Sequence, residues 1–453
     1  MRVQKTGEKR KLKQRHDEDA PGLAARRLAA AAVIETVKRS RALDETLDRL
    51  IGGPEGASLP ERDRGLVRAV AGATVRRYGT VRAALDARMN EGIPAKSGEI
   101  EGILLTGTAQ ILFLDVPDHA AVDLAVRAAR LDPRGFPFAP LVNAVLRRVA
   151  RERETILSEA DAFLDAPDWL AERWIAAYGR ERAERIAAQH RIEAAVDLSV
   201  KADPAVWAER LDAHLLPTGS LRLRQRTPIP ELPGFAEGMW WVQDAAAALP
   251  VRILKPVVGE RIVDLCAAPG GKTAQLAAAG AEVLAVDRSA ARLRTLQANM
   301  ERLGLNARVL AADACDVEET GFDAVLLDAP CSATGTLRRH PDVAWTKGPG
   351  DVAKLADLQR RLLDKAAIMV RPGGRLVFCT CSLEPEEGEV QIASFLGRND
   401  GFERVPVTAE DVPGLPEAIT SEGDLRTLPY MLESEESRLS GIDGFFMARL
   451  RRR

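Results

Sequence analysis

Apolar side chains recur at helical spacing through the first third of the chain. Leu28, Val33, Ile34 and Val37 share one face of a 3.6-residue repeat, as do Leu66, Val70 and Val75 beyond the charged run 61–65. Asp118 precedes a further run of this kind, His119-Ala120-Ala121-Val122, and reads as its N-cap. Period-two alternation is hard to find here, so residues 20–152 predict a compact all-α domain. Between 153 and 245 the pattern loosens. Pro167-Asp168 opens a helix ending near Gly179, a second covers 180–190, and a third runs from Pro204 to about Leu215. Strand-like stretches lie near 196–201, 220–224 and 239–242, and Pro228, Pro230 and Pro233 mark a loop. These segments predict a small α+β linker subdomain.

From residue 258 short apolar strands alternate with helices. Strands are expected at Arg261–Ala267, Ala281–Asp287, Ala307–Asp313, Phe322–Asp328 and Gly374–Cys381. Helices are expected at 289–303 and 351–370, the second with Val352, Leu355, Leu358, Leu362 and Met369 on one face. Such alternation implies an α/β domain with a doubly wound, mostly parallel sheet over 246–453. Gly444–Leu450 is expected to add an edge strand.

Composition narrows the class. With 453 residues, 46% hydrophobic and 29% charged, the chain is globular and neither disordered nor collagenous. No stretch reaches the ~18 apolar residues of a membrane span, so no membrane partner is expected. The basic start lacks the apolar run of a secretory signal. The cysteines are Cys266, Cys315, Cys331, Cys379 and Cys381, odd in number and all in the second half. They point to a reducing, cytoplasmic setting with thiol chemistry rather than to a disulfide framework.

The net charge of −2 argues, at face value, against a nucleic-acid partner. That sum hides segregation. Residues 1–16 hold seven Lys/Arg and one Glu, and 447–453 hold four Arg, so the rest of the chain is acidic. Two readings fit the ends: solvated tails, or basic arms for phosphate contact. Residues 1–19 are taken as a basic flexible arm. The same two readings apply to Arg76, Arg77, Arg127, Arg130, Arg147 and Arg148 in the helical domain.

The chemistry concentrates at the expected strand ends. The first strand runs into Cys266-Ala267-Ala268-Pro269-Gly270-Gly271-Lys272-Thr273, where small residues and glycines let a ligand approach the backbone. The following helix N-terminus favours polar or anionic groups. The spacing is not that of a phosphate-binding P-loop. The second strand ends at Asp287, suited to ribose hydroxyls, and the third at Asp313, suited to an adenine edge. Either Asp alone is more often a cap or a loop residue; in sequence order with the glycine turn they describe a nucleoside cofactor site. The fourth strand ends Asp328-Ala329-Pro330-Cys331, the fifth Cys379-Thr380-Cys381. Neighbouring strand ends share one crevice, so Cys331 and Cys381 should meet beside the cofactor, with Cys379 deeper on the same side. Cys266 and Cys315 read as inert thiols. The C-x-C pair lacks the second ligand pair of a zinc site, so no metal is expected. Methyl transfer to C5 of cytosine needs a thiol, because addition at C6 converts the ring to an enamine that attacks a methyl donor. A carboxyl group near N3 stabilises that adduct. Lys272 is a candidate for the field that ionises a thiol.

CAAPGGKT, AVDRS, AADA, LLDAPCSATG and CTCSLEPEE resemble the successive motifs of the Sun-type, RsmB-like RNA cytosine-5 methyltransferases. VPDHAAVDLAV at 116–126 and PLVNAVLRR at 140–148 are similar to the NusB-like RNA-binding domain that precedes the catalytic domain in the ribosomal members, and DGFF at 443–446 to their terminal strand. The resemblance implies a Rossmann-like class I methyltransferase domain, S-adenosylmethionine as cofactor and RNA as partner, with small-subunit (16S) rRNA as substrate. It implies Cys381 as the nucleophile, Cys331 as the cysteine needed for product release, and Asp328 as the carboxylate at the base and near the methionine moiety. Residues 266–272, Asp287 and Asp313 match the cofactor contacts. DNA cytosine methyltransferases use the fourth-strand cysteine as nucleophile, so the split of roles rests on the resemblance. One segment departs from it: LLTGTAQILFLDVPDHA at 104–120 stands where an Arg- and Tyr-bearing stretch is expected. A monomer is expected. The same chemistry on tRNA, a non-catalytic RNA-binding assembly factor and an antitermination factor are the competing readings.

Overall fold

The computed structural model describes residues 20–453, so the basic arm expected at 1–19 lies outside the described residues. Two compact units emerge, divided at Glu172/Arg173, and His340–Lys347 belongs to the first.

The first unit is helical. Its main helices are α1 (Leu23–Arg39), α2 (Leu43–Gly52), α3 (Glu61–Arg76), α4 (Tyr78–Asp86), α5 (Ile100–Phe113), α6 (Asp118–Leu131) and α7 (Ala139–Arg151). The apolar stripes read from the sequence close on one core, with Leu28, Val33, Val70 and Val75 buried and Leu104 and Leu146 joining them. Helix α5 is the centre, buried along nearly its whole length; a helix apolar all round belongs inside. A Cβ at Gly107 would come within 2.8 Å of Leu146, so that glycine lets α5 and α7 close together. Of the departing segment 104–120, residues 104–112 are buried within α5 and 113–120 are partly or fully exposed. Two of the helix's buried polar side chains are bonded, whereas the Thr108 hydroxyl has no hydrogen-bond partner among the described residues. Thr106 donates to Gly102 O at 2.8 Å, Gln110 donates to Thr106 O at 3.0 Å, and Arg26 donates to Gln110 at 2.6 Å. Asp118 is the first helical residue rather than the cap, a place taken by Pro117, and its carboxylate pairs with Arg153. The segment His340–Lys347 was not foreseen as part of this unit. Trp345 donates to Val75 O at 3.0 Å and its ring meets Tyr78 edge-on.

Helix α8 (Asp168–Tyr178) crosses the division, and α9 (Arg180–His190) follows. A small antiparallel sheet then forms from β1 (Asp197–Val200), β2 (Ala213–Leu215), β3 (Leu221–Leu223) and β4 (Trp240–Val242), in the order β2-β3-β1-β4. The helix expected over 204–215 is shorter: α10 is Pro204–Arg210, because Asp212 turns left-handed (φ 46°) and frees Ala213–Leu215 to pair with β3.

After α11 (Ala245–Leu254) comes the large sheet: β5 (Arg261–Leu265), α12 (Gly271–Ala278), β6 (Glu282–Asp287), α13 (Ala290–Leu303), β7 (Arg308–Ala311), β8 (Phe322–Asp328), α14 (Pro349–Met369), β9 (Val370–Thr380), α15 (Glu389–Arg398), β10 (Phe402–Arg404), β11 (Leu425–Thr427) and β12 (Phe445–Arg452). The order is β10-β12-β9-β8-β5-β6-β7, with β11 paired to β12. Strands β5 to β9 are mutually parallel, and β12 is antiparallel to β9. The chain winds one way from β5 to β7, then returns to β8 on the other side. The carboxyl ends of β5 and β8 therefore flank a switch point, where open α/β sheets bind ligands.

The last strand is not at the edge. It lies between β9 and β10, because Phe446, Ala448 and Leu450 pack into the sheet's core and the strand is buried on both faces. Arg449 survives there by donating to Ile253 O at 3.0 Å, Pro406 O at 2.6 Å and Asp411 at 3.0 Å.

Candidate active site

The first half of the site is the turn from β5 into α12. Cys266 (φ 63°) and Gly270 (φ 104°) bend the chain back on itself. A Cβ at Gly270 would lie 2.7 Å from the Leu296 side chain, so only glycine fits. Asp287, almost fully buried, holds the turn: its carboxylate accepts from Ala268 N at 3.2 Å and Ser289 N at 2.8 Å. Asp313 lies two residues beyond the end of β7, exposed, and caps the turn Ala314–Asp316 by accepting from Cys315 N at 2.9 Å. A cleft runs past Cys266, Asp287, Asp313, Pro330, Leu358 and Leu362. Apolar walls with one buried carboxylate, Asp287, and one exposed, Asp313, suit the adenine and ribose of a nucleoside cofactor. Burial, and then the charges of Asp328 and Asp287, push the Cys266 thiol upward, which keeps it protonated.

The second half is built from the loops after β8 and β9. Register pairs Asp328 with Cys379, so the residues beyond them emerge side by side. The Cys331 and Cys381 sulfurs are 3.3 Å apart, fifty positions distant in sequence. Both thiols are free and partly open. The hydrogen bond with Cys381, followed by burial and neighbouring negative charge, holds Cys331 well above its usual range.

Asp328 joins the halves. Lys272, buried at the start of α12, donates to Asp328 Oδ2 at 2.8 Å, and the Cys379 thiol donates to Oδ1 at 3.4 Å. Burial works against the Lys272 ammonium, but Asp328 and the surrounding acids outweigh it and raise its pKa. Burial and Asp328 push Cys379 well up, and Lys272 opposes that shift. The field of Lys272 thus falls on Asp328 and Cys379.

Two buried carboxylates escaped the sequence reading. Asp264, inside β5, accepts from Thr273 Oγ1 at 2.6 Å. Burial raises it to about 7, the Thr273 bond opposing and Asp328 adding. Glu387 accepts from Ser332 and Ser382, the residues following each cysteine. Its signal was confined to the acidic tail of CTCSLEPEE, which by composition alone resembles a solvated turn. Among the described residues no group of three or more His, Cys, Asp or Glu is arranged to hold a metal ion, and no helix is long and apolar enough to cross a membrane.

Comparison with known proteins agrees with this layout. The family described as 16S rRNA methyltransferase RsmB/F matches residues 251–451, and the NusB family matches 23–151. The ribosomal RNA small subunit methyltransferase B of Salmonella arizonae is 35% identical over 94% of this chain and 98% of its own length. That of Cronobacter sakazakii is 33% identical with the same coverage. The solved structure of a methyltransferase homolog protein from Pyrococcus horikoshii is 29% identical, covers 65% of this chain and 99% of its own, and superposes with a TM-score of 0.54. An NusB-like helical region followed by a Rossmann-like methyltransferase sheet, matched over nearly its whole length, places this chain in the RsmB/F family of rRNA methyltransferases.

Proposed function

We propose that the enzyme transfers a methyl group from S-adenosylmethionine to C5 of a cytosine in 16S rRNA, through a covalent bond between Cys381 and C6. The observation that carries this reading is the pair of thiols 3.3 Å apart, beside a carboxylate held by a lysine. Methylation of an exocyclic nitrogen has no use for such a pair. Residues 266–272, Asp287 and Asp313 hold the cofactor, which supplies a sulfonium-borne methyl group when bound. The Cys381 thiolate adds to C6, and Asp328 bonds the ring near N3 and stabilises the adduct. C5 takes the methyl group, S-adenosylhomocysteine leaves, and a base removes the C5 proton. The C6–S bond then breaks and returns its electrons to Cys381. Cys331 assists that release, and Lys272 fixes Asp328 and supplies positive field. The target cytosine stands in a loop or is flipped out, since a stacked base cannot reach a thiol.

In the same reading residues 20–152 bind RNA, 153–245 form a linker subdomain and 246–453 catalyse. The enzyme works as a cytoplasmic monomer, for which the five free thiols suit a reducing compartment. The test is to incubate intact protein with labelled cofactor and small-subunit rRNA, then digest the RNA to nucleosides. Label in 5-methylcytidine is expected. Label only on an exocyclic nitrogen, or none, contradicts the reading; label appearing with tRNA alone moves the substrate.

A further inference from the structure

We propose that Glu387 is a positioning residue that clamps the two thiols at reacting distance by holding Ser332 and Ser382 together. The carboxylate is completely buried, on the turn before α15. Its Oε1 accepts from Ser332 N at 2.9 Å and from Gln359 Nε2 at 3.0 Å. Its Oε2 accepts from the hydroxyl of Ser332 and from that of Ser382 at 2.6 Å. The two hydroxyls also contact each other at 3.1 Å. Gln359 extends the clamp by donating to Pro330 O at 2.9 Å, so the residues on both sides of Cys331 are tied to one carboxylate. On the other loop, Thr380 donates to Glu387 O at 2.9 Å, so the residues on both sides of Cys381 are tied to the same residue.

A buried carboxylate without partners is costly, and this one is satisfied only when both loops are in place. The energetics therefore couple the two cysteine loops: either loop can move only by stripping Glu387 of donors. The negative charge has a second effect. It adds to the Cys381 hydrogen bond and to burial in holding the Cys331 thiol protonated. In the proposed reaction, on which this consequence rests, that protonated thiol belongs to the release group.

The test reads the thiol pair directly, without relying on the reaction. Full-length protein is treated with dibromobimane, a short reagent in which each thiol displaces one bromide, and the bridged peptides are mapped by mass. The wild type should bridge Cys331 to Cys381. Glu387→Ala should slow that bridging by roughly tenfold or more, and lower kcat by up to roughly 10²-fold, the scale of a misplacement of about 1 Å. Cofactor affinity should stay within about threefold. Glu387→Gln should retain the bridging, because its amide oxygen keeps the Ser332 and Gln359 bonds and the serine hydroxyls can turn to accept from its NH2. It should lower the pH at which Cys331 is alkylated. Unchanged bridging in Glu387→Ala overturns the proposal. So does a parallel fall of bridging, cofactor binding and melting temperature, which marks a general structural role. If the wild type forms no 5-methylcytosine yet bridging still depends on Glu387, the clamp stands and the proposed reaction falls.

Discussion

The two units of this chain differ in how much charge they bury. The helical unit places most of its ion pairs at the surface: Arg68 and Asp48 pair at 2.7 Å with side chains 48% and 71% exposed, whereas Arg77 with the buried Asp165, at 2.8 Å, is an exception. Its core is aliphatic and its stability rests on packing. The sheet unit takes ions inside. Arg222 and Asp197 are fully buried, joined by two bonds of 2.7 and 2.8 Å. Around them Arg339 bonds Asp244 and Asp443, the latter from the DGFF stretch. Asp328 with Lys272, and Glu387 with its serines, extend the same habit into the site. The lesson is that packing builds the scaffold, whereas buried polar networks fix positions, because they are satisfied in only one arrangement.

The sharpest way to break this contrast is Arg222→Met. It leaves Asp197 buried without its main partner and strips two carbonyl acceptors, Leu439 O and Gly441 O. A loss of about 3–5 kcal/mol is expected, read by denaturant unfolding and by hydrogen exchange in β1 and β3. Leu104→Ala in the helical core should cost about 3 kcal/mol through lost burial and the cavity left behind, with exchange rising in α5 and α7. Equal effects from an Arg222 change and a surface arginine change would erase the distinction.

A pH titration sharpens it. Asp264 has its folded pKa raised above the unfolded value, so the folded state binds the extra proton between about 4 and 7. Its contribution to stability is therefore present at low pH and lost as pH rises through about 7. Asp264→Asn should flatten that loss, seen as a smaller fall in melting temperature from pH 5 to pH 8 than in wild type. The least effect belongs to the exposed pair: Arg68→Ala should change stability by less than about 1 kcal/mol, and high salt should abolish the difference.

Legibility followed the same contrast. Helices around Leu28 and Val70 could be read because apolar periodicity makes them, and β5, β6 and β8 because buried parallel strands are apolar runs. The β5–α12 turn, Asp287 and the paired cysteines were visible as motifs at strand ends. Three features were not. The strand Ala213–Leu215 depends on the left-handed turn at Asp212, which no periodicity announces. The inner place of β12 was masked by Arg449, whose partners Ile253, Pro406 and Asp411 are remote in sequence. Glu387 and Asp264 looked like ordinary acids, because what makes them matter is burial against donors from other segments. Patterning along a chain reports which face is apolar; it does not report which polar groups will find each other.

The central claim is that Cys381 forms the covalent bond and Cys331 releases it. It is tested most directly by mixing each Cys→Ala variant with cofactor and RNA and resolving the products on a denaturing gel. Cys331→Ala should accumulate a protein–RNA adduct that survives denaturation, whereas Cys381→Ala should give neither adduct nor 5-methylcytosine. An adduct formed by Cys381→Ala, or none formed by Cys331→Ala, would contradict the assignment.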